Sequence, residues 1–255
     1  LLSVFQDAMK FDKVPALEWD FENVRTTDPW YTPETFDGVR LPASATQLQK
    51  IADLPGCMLL TPKVIDLMWL QAELRFDPVI NTAKTPTNAV HRVIVAESHI
   101  HVVHRAIEKE IEKRGGNKGQ LTECVGKYWC LINHLTQDDL LYGEHTACNY
   151  GWPSSRGMYV GVTSGIKVWQ PPGYKHNDRH WDPSQTIRLM YRQAILVHAD
   201  GKQEIVDLHD VAADAALAPL LHHDPGKLLY IRQACAPTPA SDVALTMYAP
   251  VLQVA

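Results

Sequence analysis

A change of repeat at Gly115-Gly116 constrains this chain more than any other feature. Before it, from about Thr87 to Arg114, the apolar residues Val93, Ala96, Ile100, Val103, Ile107 and Ile111 recur at spacings of three and four, the period of an amphipathic helix. Lys113 and Arg114 suit the negative end of that helix, and the paired glycines stop it. After Gly119, short apolar runs take over at 125–132, 158–163, 166–169, 186–198 and 202–208, separated by Gly, Pro and Asn. Ala199-Asp200-Gly201 has the form of a hairpin loop between two of these runs. Helices first and strands later imply an α+β fold, a helical N-terminal region packed on a mostly antiparallel β-sheet, and not a βαβ repeat.

Two shorter helices precede the long one. The first starts near Ser44 or Thr46 and runs through Leu48, Ile51 and Leu54 until Pro55-Gly56 ends it. The second opens on Thr61-Pro62, an N-cap followed by a proline in the first helical position, and carries Val64, Ile65, Leu67, Met68 and Leu70 towards Leu74. Residues 1–43 show no sustained period and read as an irregular arm that wraps the domain, anchored by Trp19, Phe21, Trp30 and Tyr31. A helix around 211–221 and a last strand at 228–232 complete the pattern. With no repeat or linker in view, the expected organisation is one domain over 1–255, with the arm at 1–43, helices over 44–116 and a sheet-rich part over 120–255.

Composition narrows the function class. Net charge is −5, and no basic run is longer than Lys113-Arg114, whereas nucleic-acid binders concentrate lysine and arginine, so no nucleic-acid partner is expected. No apolar run is long enough to span a membrane. The five cysteines (Cys57, Cys124, Cys130, Cys148, Cys235) are scattered and form no C-x-x-C pair, which argues against a disulfide scaffold or a zinc ribbon. The chain begins at Leu1 and not at Met, as expected of a processed chain or of a piece of a longer one. The absence of any N-x-[ST] acceptor favours a bacterial or intracellular origin.

Chemistry concentrates in His176-Asn177-Asp178-Arg179-His180-Trp181-Asp182-Pro183-Ser184. In an extended segment alternate side chains share a face, which would put His176, Asp178, His180, Asp182 and Ser184 together. Three readings fit. Ser184 is a nucleophile with His180 as general base and Asp182 or Asp178 as orienter. Alternatively His176, Asp178 and His180 ligate zinc or another divalent metal. In the third, the segment is a polar loop that shapes a binding cleft. Trp152, Trp169, Tyr174 and Trp181 would suit a carbohydrate- or peptide-binding groove, although aromatic residues at this density are also normal in a core.

Other candidates have equally plain structural readings. Lys127 lies in an apolar run, as a base or charge neutraliser of lowered pKa or as an edge lysine that discourages aggregation. Cys148, followed downstream by His176 and His180, has the chain order of a thiol nucleophile, but it also abuts Tyr150-Gly151-Trp152-Pro153, which reads as an aromatic turn around a buried thiol. Glu97, His101, His104 and Glu108 form a stripe beside the apolar face of the long helix, either as metal ligands or as a solvated flank.

The ordered set Tyr150-Gly151-Trp152, Gln170-Pro171, His180-x-Asp182-x-Ser184 and Ile187-Arg188-Leu189 resembles the pattern of an uncharacterised group of bacterial proteins. Ile51-Ala52-Asp53, Cys57, Leu60-Thr61-Pro62-Lys63 and Asp66 resemble its helical portion upstream, and the segment ending in Leu220-Leu221 resembles its downstream part, so the likeness spans about 45–232. The resemblance carries no activity with it. It implies weight for His180, Asp182, Ser184 and Arg188, and none for the cysteines. Gln185 stands where that pattern has a histidine after the serine, and Pro153 where a histidine often follows the tryptophan.

The resulting expectation is a hydrolase that cleaves an amide, ester or glycosidic bond in a polymeric substrate, such as a cell-wall fragment or peptide. His180 is its general base or acid, Asp182 the orienter and Ser184 the nucleophile or hydrogen-bond donor, while Lys127 and Arg188 stabilise developing negative charge. No cofactor is needed in this reading. The alternatives are a metal-dependent hydrolase using His176, Asp178 and His180, and a non-catalytic binding or structural protein, phage-like or a surface component, with the same aromatic groove.

Overall fold

A computed structural model of the chain describes residues 1–5, 10–11, 39–40, 42–53, 56–79, 103–117, 119–133, 146–181, 184–223, 226, 228 and 251–254. In chain order the strands are β1 (Leu2–Phe5), β2 (Lys10–Phe11), β3 (Val39–Arg40), β4 (Cys57–Leu59), β5 (Leu74–Arg75), β6 (Thr122–Glu123), β7 (Lys127–Cys130), β8 (Thr146–Pro153), β9 (Tyr159–Val160), β10 (Lys167–Asn177), β11 (Leu189–Tyr191), β12 (Gln193–Val197), β13 (Gln203–Asp207) and β14 (Val251–Val254). The helices are α1 (Ala45–Asp53), α2 (Pro62–Gln71), α3 (103–113) and α4 (Leu208–Ala213), followed by a 3-10 turn at Ala218–Leu220. The fold is α+β.

Both larger sheets are antiparallel. One has the order β14-β1-β11-β4 and the other β7-β8-β10-β9. β12 and β13 form the expected hairpin, turned at Gly201 with φ +84°. β5 and β6 make the only parallel ladder among the described strand pairs. The two larger sheets meet where Leu131 N–H donates to Leu60 O at 2.9 Å.

The helices form where local chemistry favours them. Ser44 and Gln47 close a capping box at the start of α1, with Ser44 N–H donating to Gln47 Oε1 at 3.0 Å and Gln47 N–H to Ser44 Oγ at 3.3 Å. Ala45, Leu48, Ile51 and Ala52 then share its buried side. Thr61 caps α2 through Val64 N–H at 3.3 Å. Of the long helix, 103–113 is described and helical, and the residues expected to begin it at 87 lie outside the described set.

Several expectations are corrected, and others fall outside the described residues. Leu2–Phe5, placed by sequence in an irregular arm, is an inner strand between β14 and β11, with Val4 and Phe5 fully buried. Trp19, Phe21, Trp30 and Tyr31 lie outside the described residues. Tyr150-Gly151-Trp152-Pro153 is no turn but the end of β8, a central strand. β10 is far longer than 166–169 and passes straight through Pro171-Pro172. Of the expected strand at 228–232 only Leu228 is described, and the rest lies outside the described residues; Val251–Val254 is a further strand, paired with β1. The helix expected over 211–221 is α4 plus the 3-10 turn.

Candidate functional site

The register of β7, β8 and β10 builds the site. Trp129 pairs with Asn149 and Asn149 with Gly173, while Lys127 pairs with Gly151 and Gly151 with Gln170. His176 pairs with Ala147 one step further on. Directly opposed residues share a face, so this face of the sheet carries Trp129, Asn149, Gly173, Gln170 and His176. On β10 the partners fall at 170, 173 and 176 against 151, 149 and 147 on β8, with the register shifting twice. Each shift is a β-bulge, a device that re-aims side chains and accumulates next to functional sites. Pro171 and Pro172, which have no N–H to give a ladder, sit within the first of them.

The opposite face is core. Tyr128, Cys130, Cys148 and Tyr150 are all 2% exposed or less. Cys130 Sγ and Cys148 Sγ lie 3.5 Å apart across β7 and β8, and burial pushes the Cys130 thiol well up. Cys148 therefore sits in a closed interior and not beside a cleft, in line with its reading as a buried thiol. All four described cysteines are free.

A turn, not an extended strand, follows β10. It carries His180 back over His176, so that the two imidazoles stack with centroids 3.9 Å apart and planes 6° apart. Both rings meet Trp129 edge-on, at 6.4 and 6.5 Å. Trp129 itself is held by Nε1 donating to Ala43 O at 2.8 Å. Both histidines are half-buried, in contrast to the sealed tryptophan below them.

The same turn sends Asp178 elsewhere. Its side chain is buried and accepts from Thr46 Oγ1 at 2.8 Å, while its carbonyl accepts Thr46 N–H at 3.0 Å. Asp178 thus ties the first turn of α1 to the loop after β10, and the alternation that grouped it with the histidines is overturned. The zinc reading needed His176, Asp178 and His180 to converge. An imidazole nitrogen directs its lone pair in the ring plane, so two parallel rings and a carboxylate committed to Thr46 share no coordination point. Among the described residues no group of three or more His, Cys, Asp or Glu is placed to hold a metal.

The strand-like return 184–186 runs beside β7. Lys127 N–H donates to Ser184 O at 2.7 Å, and Thr186 N–H to Lys127 O at 3.0 Å. The approach requires Gly126, where a Cβ would stand 2.6 Å from the Thr186 side chain and 2.7 Å from Ser184 O. Ser184 is half-buried at this seam. Lys127 is 8% exposed, with Nζ 5.4 Å from the ring centroid of Trp152, a cation–π contact that fixes the ammonium at the edge of the polar face. Asp182 lies outside the described residues.

Arg188 is not at this site. Its side chain has no exposed surface and donates through Nη1 to Glu123 Oε1 at 2.8 Å, to Thr122 O at 2.8 Å and to Tyr128 Oη at 3.1 Å, and through Nε to Phe5 O at 2.7 Å. A group so enclosed meets no substrate in this conformation; it joins β1, β6 and β7. Comparison with protein-family models, with curated proteins and with solved structures finds no match to this chain.

The four aromatic residues expected to line a groove are each half-buried. Trp152, Tyr174 and Trp181 pack partly against the core, and Trp169, between Val168 and Gln170 in β10, falls on the opposite face from Gln170. Two other motifs prove architectural. Asp66 on α2 accepts from Tyr150 Oη at 2.6 Å, while Thr61 Oγ1 donates to Leu221 O and Lys63 Nζ to Pro219 O, so three separated motif segments meet around α2. On α3, His104 and Glu108 hold the buried Arg40 of β3, with Nη1 3.3 Å from His104 Nδ1 and paired with Glu108. Glu97 and His101 of that stripe lie outside the described residues.

Sequence reasoning passed over Asn149 and Trp129. A lone asparagine inside an apolar run carries a signal of the same kind as Lys127, and only the register shows that the two border one face.

Proposed function

We propose that the chain is a hydrolase whose acid–base group is the stacked pair His176 and His180. The observation that carries the reading is the stack itself, half-buried and fixed from below by a buried tryptophan. Imidazole is the side chain whose proton exchange falls near neutrality, and a base must be aimed before its pKa matters. Trp129 and the face-to-face contact supply that aim. In this reading His180 takes the proton of the attacking hydroxyl or water, His176 positions it, and Ser184 on the neighbouring return is the nucleophile or a donor to the substrate. Asp182 orients His180, and the Lys127 ammonium over Trp152 stabilises developing negative charge. The substrate is a polymer with an amide, ester or glycosidic link.

The test is turnover of peptidoglycan fragments, peptides and aryl esters by wild type and by His180→Gln, His176→Gln and Ser184→Ala. His180→Gln is expected to lose roughly 10²–10⁴ in kcat. Unchanged kcat in that variant, or no turnover of any substrate by wild type, overturns the reading.

A second reading is favoured by one observation. Met158, Tyr159 and Val160 are exposed side by side at the edge strand β9, with Val160 at 77%. Runs of this kind mark surfaces that meet another molecule, which suits a non-catalytic binding or structural component. Saturable binding of a panel polymer with no cleavage of it would favour this reading over the first.

A further inference from the structure

Cys130 and Cys148 stand directly opposite each other in the ladder of β7 and β8, and their sulfur atoms lie 3.5 Å apart. Both are thiols in this structure, and both are sealed, at 1% and 2% exposure. Opposed residues of an antiparallel ladder have Cα atoms about 4.5–5.5 Å apart. A disulfide accepts Cα separations of about 4.4–6.8 Å, so the backbone already stands where a bridge needs it. Only the sulfurs must move, from contact to a bond of about 2.05 Å, by rotation about Cα–Cβ. The position is central. Cys130 follows Trp129, which backs the stacked histidines, and it also pairs with Leu60 at the meeting of the two larger sheets.

We infer that Cys130 and Cys148 are a disulfide site, closed as the chain folds in a medium containing glutathione disulfide and left as two thiols in a reducing one. The thiolate of one cysteine attacks glutathione disulfide, forming a mixed disulfide and releasing one glutathione thiolate. The thiolate of the second attacks the protein sulfur of that mixed disulfide and releases the other glutathione. The protein loses two S–H bonds and gains one S–S bond, while the oxidant is reduced to two glutathione thiols that take up the two protons. The exchange belongs to folding and not to the finished fold, because the ladder seals both sulfurs and burial keeps the Cys130 thiol protonated and unreactive. The same seal protects a bridge once made. Such a bridge closes the loop 131–147 and ties β7 to β8 on the reverse of the face that carries Trp129 and Asn149. It holds whether or not that face is catalytic.

The experiment unfolds the full chain in urea and refolds it in parallel with a mixture of reduced and oxidised glutathione and with reductant alone. Each product is alkylated under denaturing conditions and mapped by mass spectrometry. The glutathione product is expected to carry a cross-linked Cys130–Cys148 peptide, two hydrogens lighter than the dithiol, in most of its molecules. Its thermal midpoint is expected to lie roughly 5–10 °C above that of the dithiol form. Reductant added without urea is expected to leave the bridge intact, and with urea to open it. Cys148→Ala is expected to show one midpoint in both media. The mapping is made on wild type, so it decides even where the variant fails to fold. Cys130 and Cys148 both alkylated after refolding with glutathione overturn the inference, as does a bridge from either to another cysteine. A bridge opened as fast without urea as with it overturns the seal, and an unchanged midpoint overturns the tie between the strands.

Discussion

Glu123 Oε1 and Arg188 Nη1 form an ion pair at 2.8 Å in which neither side chain has any exposed surface. The pair is bracketed by Tyr128, whose hydroxyl accepts from Arg188 at 3.1 Å and whose pKa is pushed well up by burial and by the neighbouring Glu123. Such a pair is costly to break, because removing one partner leaves the other buried and uncompensated. Arg188→Leu is expected to cost about 3–5 kcal/mol in urea unfolding. The double variant Arg188→Leu, Glu123→Leu is expected to recover much of that loss. A single variant within about 1 kcal/mol of wild type would remove Arg188 from its structural role.

Thr46 and Asp178 are 132 residues apart in sequence and joined twice, through side chains at 2.8 Å and backbone at 3.0 Å. If Asp178 anchors α1, Thr46→Val and Asp178→Asn share one interaction and their effects are not additive. A double-mutant cycle on thermal or urea stability is expected to give a coupling of about 0.5–3 kcal/mol. Additive losses, accompanied by a fall in kcat for Asp178→Asn alone, would return Asp178 to the catalytic group.

Thr61 has two tasks for one hydroxyl, accepting Val64 N–H at the start of α2 and donating to Leu221 O after the 3-10 turn. Thr61→Val keeps the shape and orphans both groups in a fully buried position. The expected cost is about 1–3 kcal/mol. Thr61→Ser keeps the hydroxyl and loses one methyl, so about 1 kcal/mol is expected. Equal losses in the two variants would show that packing, not capping, fixes the junction.

What could be read from the chain alone follows the range of each interaction. The starts of α1 and α2 were legible because a cap is settled within four residues, as with Ser44 and Gln47 or Thr61 and Val64, whereas α2 stops at Gln71, short of the expected Leu74. The Gly201 hairpin was legible for the same reason. β8 and β10 were not, since Gly151, Pro153 and Pro171-Pro172 carry the marks of turns, and only pairing with neighbouring strands and two bulges holds them in a sheet. In the site, the richness of 176–184 was visible, but its geometry was not. A two-residue period groups Asp178 with His176 and His180, whereas the turn pairs the histidines and sends Asp178 to α1. Arg188 was singled out through a motif, and its partner Glu123, 65 residues earlier, could not be seen by spacing.

Asp66 supplies the pH dependence. It has no exposed surface, and burial raises its carboxyl pKa above the ordinary carboxylate range, against the lowering effects of Tyr150, the Thr163 backbone N–H and His223. A raised folded-state value means that the native protein holds the proton over a range in which the unfolded chain has lost it. The stability contribution is therefore fully present below the unfolded value and is lost as pH rises through the folded value. Asp66→Asn removes this titration and still answers its neighbours, with Oδ1 accepting Thr163 N–H and Nδ2 donating to Tyr150 Oη. Relative to wild type, the asparagine variant is expected to gain stability as pH is raised from about 4 towards neutrality. Urea midpoints at several pH values check the sign. Parallel stability–pH curves for the two proteins would mean that Asp66 is not a buried acid of raised pKa, and a relative loss for Asp66→Asn with rising pH would reverse the assignment.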